Sequence, residues 1–319
     1  MTARTVSAVI PTYNRRDYIC RAIDSIIRDG PAPLEILVID DGSTDGTEAL
    51  LREIFGAAVT VIRQPNAGVS AARRRGILAA RGEWIAFLDS DDEWVGGRSK
   101  AFADAAAQAP SDVNWIFGDT RVVEDAGDDA TLFGDHGFRV DGAFEILDDT
   151  LRSQYPFQLS LLQSSLIRRE AILSAGGFTE GLSSSEDFLL GFRIALRSRV
   201  MALSQVVTRL YRTGDLAESS LDRLGRQSRD FHRARMLAFR EAAEVKGPKP
   251  WGELYAEAVR QFIIATVPGD PLDHGVAREQ FRFGASPRSL AFQAAAALGP
   301  AGIRLWRGLS RATKRAAGS

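Results

Sequence analysis

Hydrophobic positions in the first hundred residues switch between two periods. Short continuous apolar runs, VSAVI at 6–10, EILVI at 35–39, VTVI at 59–62 and EWIAFL at 83–88, have the length and β-branched content of strands. Between them apolar residues fall at helical spacing, as Ile19, Ala22, Ile23, Ile26 and Ile27 do in the first interval and as AGVSAARRRGILAARG, closed by Gly82, does in the third. Asn14 with Asp17 reads as an N-cap and its first-turn acid, and DDGSTDGT as the turn that opens the second helix. Strands apolar on both faces belong in a sheet covered on both sides. The alternation therefore predicts an α/β fold with a mostly parallel, Rossmann-like central sheet and helices on both faces.

The middle of the chain carries a weaker pattern. VNWIFGDTRVV at 113–123 predicts a strand, the polar stretch around 128–137 a loop, and FEILDDTLRS at 144–153 a helix. SSLIRREAILSAGGF at 164–178 predicts a strand leading into a short helix ended by Gly176 and Gly177. EDFLLGFRIALRS at 186–198 reads as another helix, and RVMALSQVVTRLYR at 199–212 as one or two strands. From about Glu218 the pattern is helical to the end, punctuated by prolines such as Pro248, Pro268 and Pro300. The expected division is a domain over 1–214, in halves 1–95 and 96–214, and a helical extension over 215–319.

Composition narrows the function classes. A chain of 319 residues with 45% hydrophobic residues can bury a substantial core, and 40 Lys+Arg against 41 Asp+Glu gives no global reason to expect nucleic acid as a partner. Cys20 stands alone and His136, His232 and His274 are far apart, so an internal disulfide is excluded and a Cys/His zinc site is disfavoured. The opening MTARTVSAVIPTYN has too short an apolar run for a signal peptide or a membrane span, which makes a cytoplasmic location the default expectation.

Polar residues then gather where three strands end: at 11–14, at Asp40 and Asp41, and in the run WIAFLDSDDEW at 84–94, which delivers Asp89, Asp91, Asp92 and Glu93 almost at once. In an open α/β sheet ligands bind beyond the carboxyl ends of strands. Carboxylates facing one another there repel unless a cation sits between them, and Mg²⁺ takes one or two protein carboxylates and completes its shell with water and substrate phosphates. Taken alone, the last cluster reads equally well as the start of a turn.

Five ordered segments decide between these readings: VSAVIPTYNRRDYICRAIDSI, EILVIDDGSTDGT, NAGVSAARRRGI, GEWIAFLDSDDEW and GGFTEGLSSSEDFLLGFRIA. Over roughly residues 5–212 the chain resembles the family 2 inverting glycosyltransferases, which have the GT-A fold. The resemblance implies a nucleoside-diphosphate sugar donor, UDP-sugar foremost, bound by the half 1–95, and a saccharide or lipid-linked glycan acceptor bound by the half 96–214. It implies Mg²⁺ or Mn²⁺ as cofactor, held mainly by Asp91 with Asp89 at the metal water or the ribose. Tyr13 would lie on the base with Pro11 and Thr12 shaping the pocket, Asp41 would accept from the base, Asp40 would support the turn, and Arg73 would reach the nucleotide. Asn66, Gly68 and Ser90 complete the donor-binding set, and Asp187 matches the general base. Two departures stand out: Arg74 replaces an asparagine common in the family, and LYRTGDLAES at 210–219 lacks a histidine that many members carry there.

The chemistry accords with one metal cluster and one separate late acid. Inverting transfer needs a single carboxylate to take the proton of the attacking hydroxyl, whereas glycoside hydrolysis needs a carboxyl pair. Two rival readings are a catalytically silent nucleotide-sugar-binding protein and a sugar-phosphate nucleotidylyltransferase; the latter calls for a Gly-rich basic loop after the first strand, and PTYNRRDY lacks the glycines. After Glu279 there is no acid, while Arg304, Arg307, Arg311, Lys314 and Arg315 share one face of a helix drawn through IRLWRGLSRATKRAA. That face suits either solvent or peripheral contact with an anionic membrane.

Overall fold

A computed structural model describes residues 5–124, 130–182, 184–212 and 229–265. Strands β1 (Val6–Thr12), β2 (Glu35–Asp40), β3 (Thr60–Arg63) and β4 (Trp84–Phe87) pair in parallel in the order β3-β2-β1-β4. They form because their side chains are apolar on both faces: Ala8, Val9, Ile10, Val38, Ile39, Trp84 and Ile85 are all fully buried. Helix α1 (Arg16–Arg28) covers the sheet with Ile19, Ala22, Ile23 and Ile26 and leaves Ile27 exposed. Helices α2 (Thr47–Phe55) and α3 (Val69–Ala79) make the other two crossovers. A Cβ on Gly76 would stand 2.3 Å from Val9 Cγ1, so α3 lies as close to β1 as a backbone allows.

Two local expectations are corrected. Asn14 does not cap α1; it sits at φ +50°, and the backbone N–H of Arg16 is instead accepted by Asp45 Oδ2 at 3.1 Å. Helix α3 ends at Ala79, and Gly82 serves a close approach: its N–H donates to Ser7 Oγ at 2.8 Å, and a Cβ there would be 2.6 Å from Ser7 N.

Beyond β4 the sheet becomes mixed. β8 (Ser165–Arg168) pairs antiparallel to both β4 and β6 (Val113–Glu124), and β9 (Arg199–Arg212) runs parallel to β6 as one long strand. β5 (Glu93–Trp94) and β7 (Phe144–Ile146) both pair antiparallel to β9. The helix expected over 144–153 is thus a short strand followed by a 3-10 turn at Thr150–Ser153. Four residues, FEIL, are too few to separate the two periods, and the open edge of β9 takes them up by pairing Phe144 with Leu203 and Ile146 with Met201. Helices α4 (Arg98–Gln108), α5 (Leu132–Asp135), α6 (Arg169–Ser174) and α7 (Glu186–Arg197) complete this half. Gly176 and Gly177, both at positive φ, close α6 as expected.

The chain divides into two units, Met1–Arg223 and Leu224–Ser319. The boundary expected near 214 falls outside the described residues, as does the basic segment after 299. In the second unit α8 (Arg229–Lys246) and α9 (Trp251–Ala265) meet through buried Phe239, Ala242, Tyr255 and Ala258, so this part is helical as its periodicity indicates. Among the described residues no helix is long and apolar enough to cross a membrane.

Candidate active site

The ends of β1 and β2 are tied into one loop cluster. Asp41 N donates to Thr12 O at 2.9 Å, Asn14 N donates to Ser43 Oγ at 2.9 Å, and Asn14 Oδ1 accepts from Thr44 N at 2.8 Å. Asp40 is fully buried and accepts from Ser43 N at 2.8 Å. Asp41 is also buried: Oδ1 accepts from Gln64 Nε2 at 2.7 Å and Ala67 N at 2.9 Å, and Oδ2 from Gly68 N at 2.8 Å. It therefore fixes the loop that carries Asn66 and Gly68 and leads into α3. Pro11 and Thr12 are buried in β1, while Tyr13 just beyond them is 49% exposed.

At the end of β4, Asp92 N donates to Asp89 O at 3.1 Å and closes a tight turn through Ser90 and Asp91. Asp89 accepts from Arg73 Nη2 at 2.8 Å through Oδ1 and from Gln163 Nε2 through Oδ2. Asp91 keeps a partly exposed carboxylate, with Arg15 Nε 3.5 Å from Oδ2 and Arg21 Nη2 donating to its carbonyl at 2.7 Å. Asp92 is buried and accepts from Tyr211 N at 3.1 Å, and Arg21 stacks 3.9 Å over the Tyr211 ring. Burial first, and then the charge of Asp89, raises the pKa of Asp91. Burial, Asp89 and Asp91 raise that of Asp92 well above the ordinary carboxylate range. The turn is a place where negative charge is held against its own repulsion.

A second acid pair stands at the first turn of α7. Asp187 Oδ2 accepts from Gln158 Nε2 at 3.0 Å, and its Oδ1 from Phe188 N at 2.7 Å. Glu186 is buried, and burial followed by the charge of Asp187 raises its pKa while Arg73 opposes the rise. Arg73 joins the two clusters: its Nη1 donates to Glu186 Oε1 at 2.7 Å and its Nη2 to Asp89. Burial disfavours the guanidinium charge, yet Asp89 and Glu186 outweigh it and raise the pKa further. Arg73 was expected to reach the nucleotide; here its two terminal nitrogens are spent on acids, and it acts as the cross-link of the site. A cavity of about 830 Å³ lies beside Gly68, Arg74, Leu78, Phe178 and Leu182. None of the strand-end acids lines it, so the acids and not that cavity define the site.

Several supporting residues escaped sequence reasoning, Glu186 and Gln158 among them, and two more act from further away. Gln163 orients Asp89 from a turn 74 positions away. Arg98, almost wholly buried, holds that turn by donating to Gln163 O at 2.9 Å, Ser165 O at 3.0 Å and Thr208 Oγ1 at 3.0 Å, with Trp94 and Phe102 against its guanidinium. No local spacing announces either residue, because their partners come from distant strands.

Comparison with known proteins agrees with this architecture. Residues 7–150 match the family described as Glycosyl transferase family 2. The succinoglycan biosynthesis protein ExoO of Rhizobium meliloti (strain 1021) is 46% identical over 88 residues, 27% of this chain and 25% of that protein. The chondroitin synthase of Pasteurella multocida (strain Pm70) is 37% identical over 89 residues, 27% of this chain and 9% of that protein. The crystal structure of S. aureus TarS 1-349 in complex with UDP-GlcNAc superposes with a TM-score of 0.67 at 19% identity, over 98% of this chain and 92% of that one. Residues 7–150, a little under half of the chain, are thus similar to the family 2 glycosyltransferases, and the fold is GT-A. It spans about a third or less of the length of the curated relatives it matches.

Proposed function

We propose that the protein is a metal-dependent inverting glycosyltransferase that moves a sugar from a UDP-sugar to a hydroxyl of a saccharide or lipid-linked acceptor during polysaccharide biosynthesis. The observation that carries this reading is the Arg73 cross-link. Through Asp89 and Glu186 it joins the acidic turn after β4 to the acid pair opening α7, so a donor diphosphate and an acceptor hydroxyl would meet over one rigid frame.

The residues fit a hard divalent cation. Asp89 has both oxygens engaged, whereas Asp91 offers a partly exposed carboxylate whose Oδ2 lies 3.5 Å from Arg15 Nε. Among the described residues no group of three or more His, Cys, Asp and Glu residues could hold a metal by itself. That donor set suits Mg²⁺ or Mn²⁺ completed by substrate phosphates and water. Asp91 would hold it directly, with Asp89 on its water shell. When bound, such a cation stabilises the charge that develops on a departing diphosphate.

The remaining steps belong to side chains. Asp187, oriented by Gln158 Nε2 and Phe188 N, takes the proton of the acceptor hydroxyl as its oxygen attacks the anomeric carbon. The attack comes from the face opposite the diphosphate, whose oxygen leaves with the bonding electron pair, so the configuration inverts. Tyr13, exposed at the end of β1, would cover the base. The basic segment at 303–316 would bring the enzyme to an anionic membrane surface where lipid-linked acceptors reside.

A turnover screen of UDP-, GDP- and dTDP-sugars with and without Mn²⁺ tests the reading. Turnover of a UDP-sugar only with metal is expected, and the D187N variant should lose about 10²–10⁴-fold of it while keeping UDP affinity. Undiminished turnover in D187N would remove Asp187 as the base, and no turnover by the wild type with any donor would leave a silent binding protein.

A further inference from the structure

We propose that the stacked, solvent-facing pair His136–Phe157 is a platform for the acceptor, on which the apolar C–H face of a pyranose ring lies while its hydroxyl reaches Asp187. This rests on the glycosyl-transfer reading and adds to it a saccharide subsite formed by two side chains outside the five shared segments. The rings are 4.0 Å apart and 11° from parallel, and Phe157 remains 49% exposed although His136 covers one of its faces. Lone exposed apolar side chains are ordinary on a protein surface. This one differs in its backing and in its place.

The backing is constructed. His136 lies just after α5, in a loop anchored by Phe133 and Phe138, whose rings are 4.7 Å apart and both meet Phe117 of β6. Asp119, buried at the bend of β6, accepts from Phe133 N at 2.9 Å and pins the same loop. Three core aromatics and a buried carboxylate thus hold a ring that itself faces water. The place is equally specific. Phe157 immediately precedes Gln158, whose Nε2 donates to Asp187 at 3.0 Å, so the platform is one residue along the chain from the contact that orients the group that would take the acceptor proton. Aromatic faces carry negative potential and sugar C–H faces are weakly positive and apolar, which makes a flat exposed ring a natural seat for a pyranose.

Binding to an array of oligosaccharides with hexose, hexosamine and hexuronic acid repeats tests the platform, using the full chain with UDP and Mn²⁺. The wild type should retain a subset of these saccharides. F157A should bind that subset about tenfold more weakly, F157W should restore it, and H136A should fall between them. UDP affinity and the thermal midpoint, measured on the same variants, certify that the fold is kept. The proposal is overturned if F157A binds like the wild type, if F157W is as weak as F157A, or if the wild type retains no saccharide. Failure of the transfer reading shows differently: saccharide binding that depends on Phe157, with no UDP-sugar turnover by the wild type.

Discussion

Asp89 accepts from Arg73 and Gln163 at once, so its carboxyl plane is set before any ligand arrives. Hydrogen bonds to a charged group contribute about 1.5–3 kcal/mol. Replacing Gln163 by Ala should therefore weaken Mn²⁺-dependent UDP binding about tenfold, read by calorimetry. Q163E should weaken it more, because a second carboxylate would face Asp89. Equal affinity in all three proteins would mean that Asp89 is held by Arg73 alone. The acids themselves were legible in the sequence because strand-end carboxylates interrupt an apolar run. Their supports were legible only in part: the resemblance picks Arg73 out of a run of three arginines, but only the fold reveals that it, unlike Arg74, turns inward to 5% exposure and onto two acids, and Gln163 carries no signal at all.

Two helices begin on one carboxylate. Asp45 accepts from Arg16 N at the start of α1, and from Thr47 N at 3.0 Å and Thr47 Oγ1 at 2.6 Å at the start of α2. Burial would raise its pKa, but the hydrogen bonds from Thr47 and Arg16 outweigh it and the value is lowered. The sign follows: a carboxyl with a folded pKa below its unfolded one adds stability above the ordinary carboxylate range and loses it as pH falls through the folded value. D45A should cost about 1 kcal/mol at neutral pH, a loss typical of a helix cap. The gap to wild type should narrow below about pH 4 in thermal melts, since protonation disables the wild-type cap as well. A gap independent of pH would refute the assignment. At this scale the parallel half of the sheet was readable from its continuous apolar strands. β7 was not, since its three residues, two of them apolar, fit either period and the free edge of β9 decides the matter.

At the scale of the whole molecule, a GT-A sheet with one parallel and one mixed half brings the acid after β4 and the acid opening α7 to Arg73, while charge along the chain is uneven. Seven basic and no acidic residues follow Glu279 in a chain of net charge −1. The full chain should co-sediment with vesicles containing anionic phospholipid, a truncation after residue 299 should not, and salt should weaken the association. Equal pelleting of both would dismiss membrane contact. Nucleotide choice is a molecular property too, and under the proposed contact of Asp41 with the base it would follow from how that strut is used. A carboxylate has about four lone-pair sites, and Gln64, Ala67 and Gly68 already fill three of those on Asp41. One vacancy accommodates the single imide N–H of uracil or thymine and not the adjacent pair that guanine presents, so GDP should compete with UDP at least about tenfold more weakly.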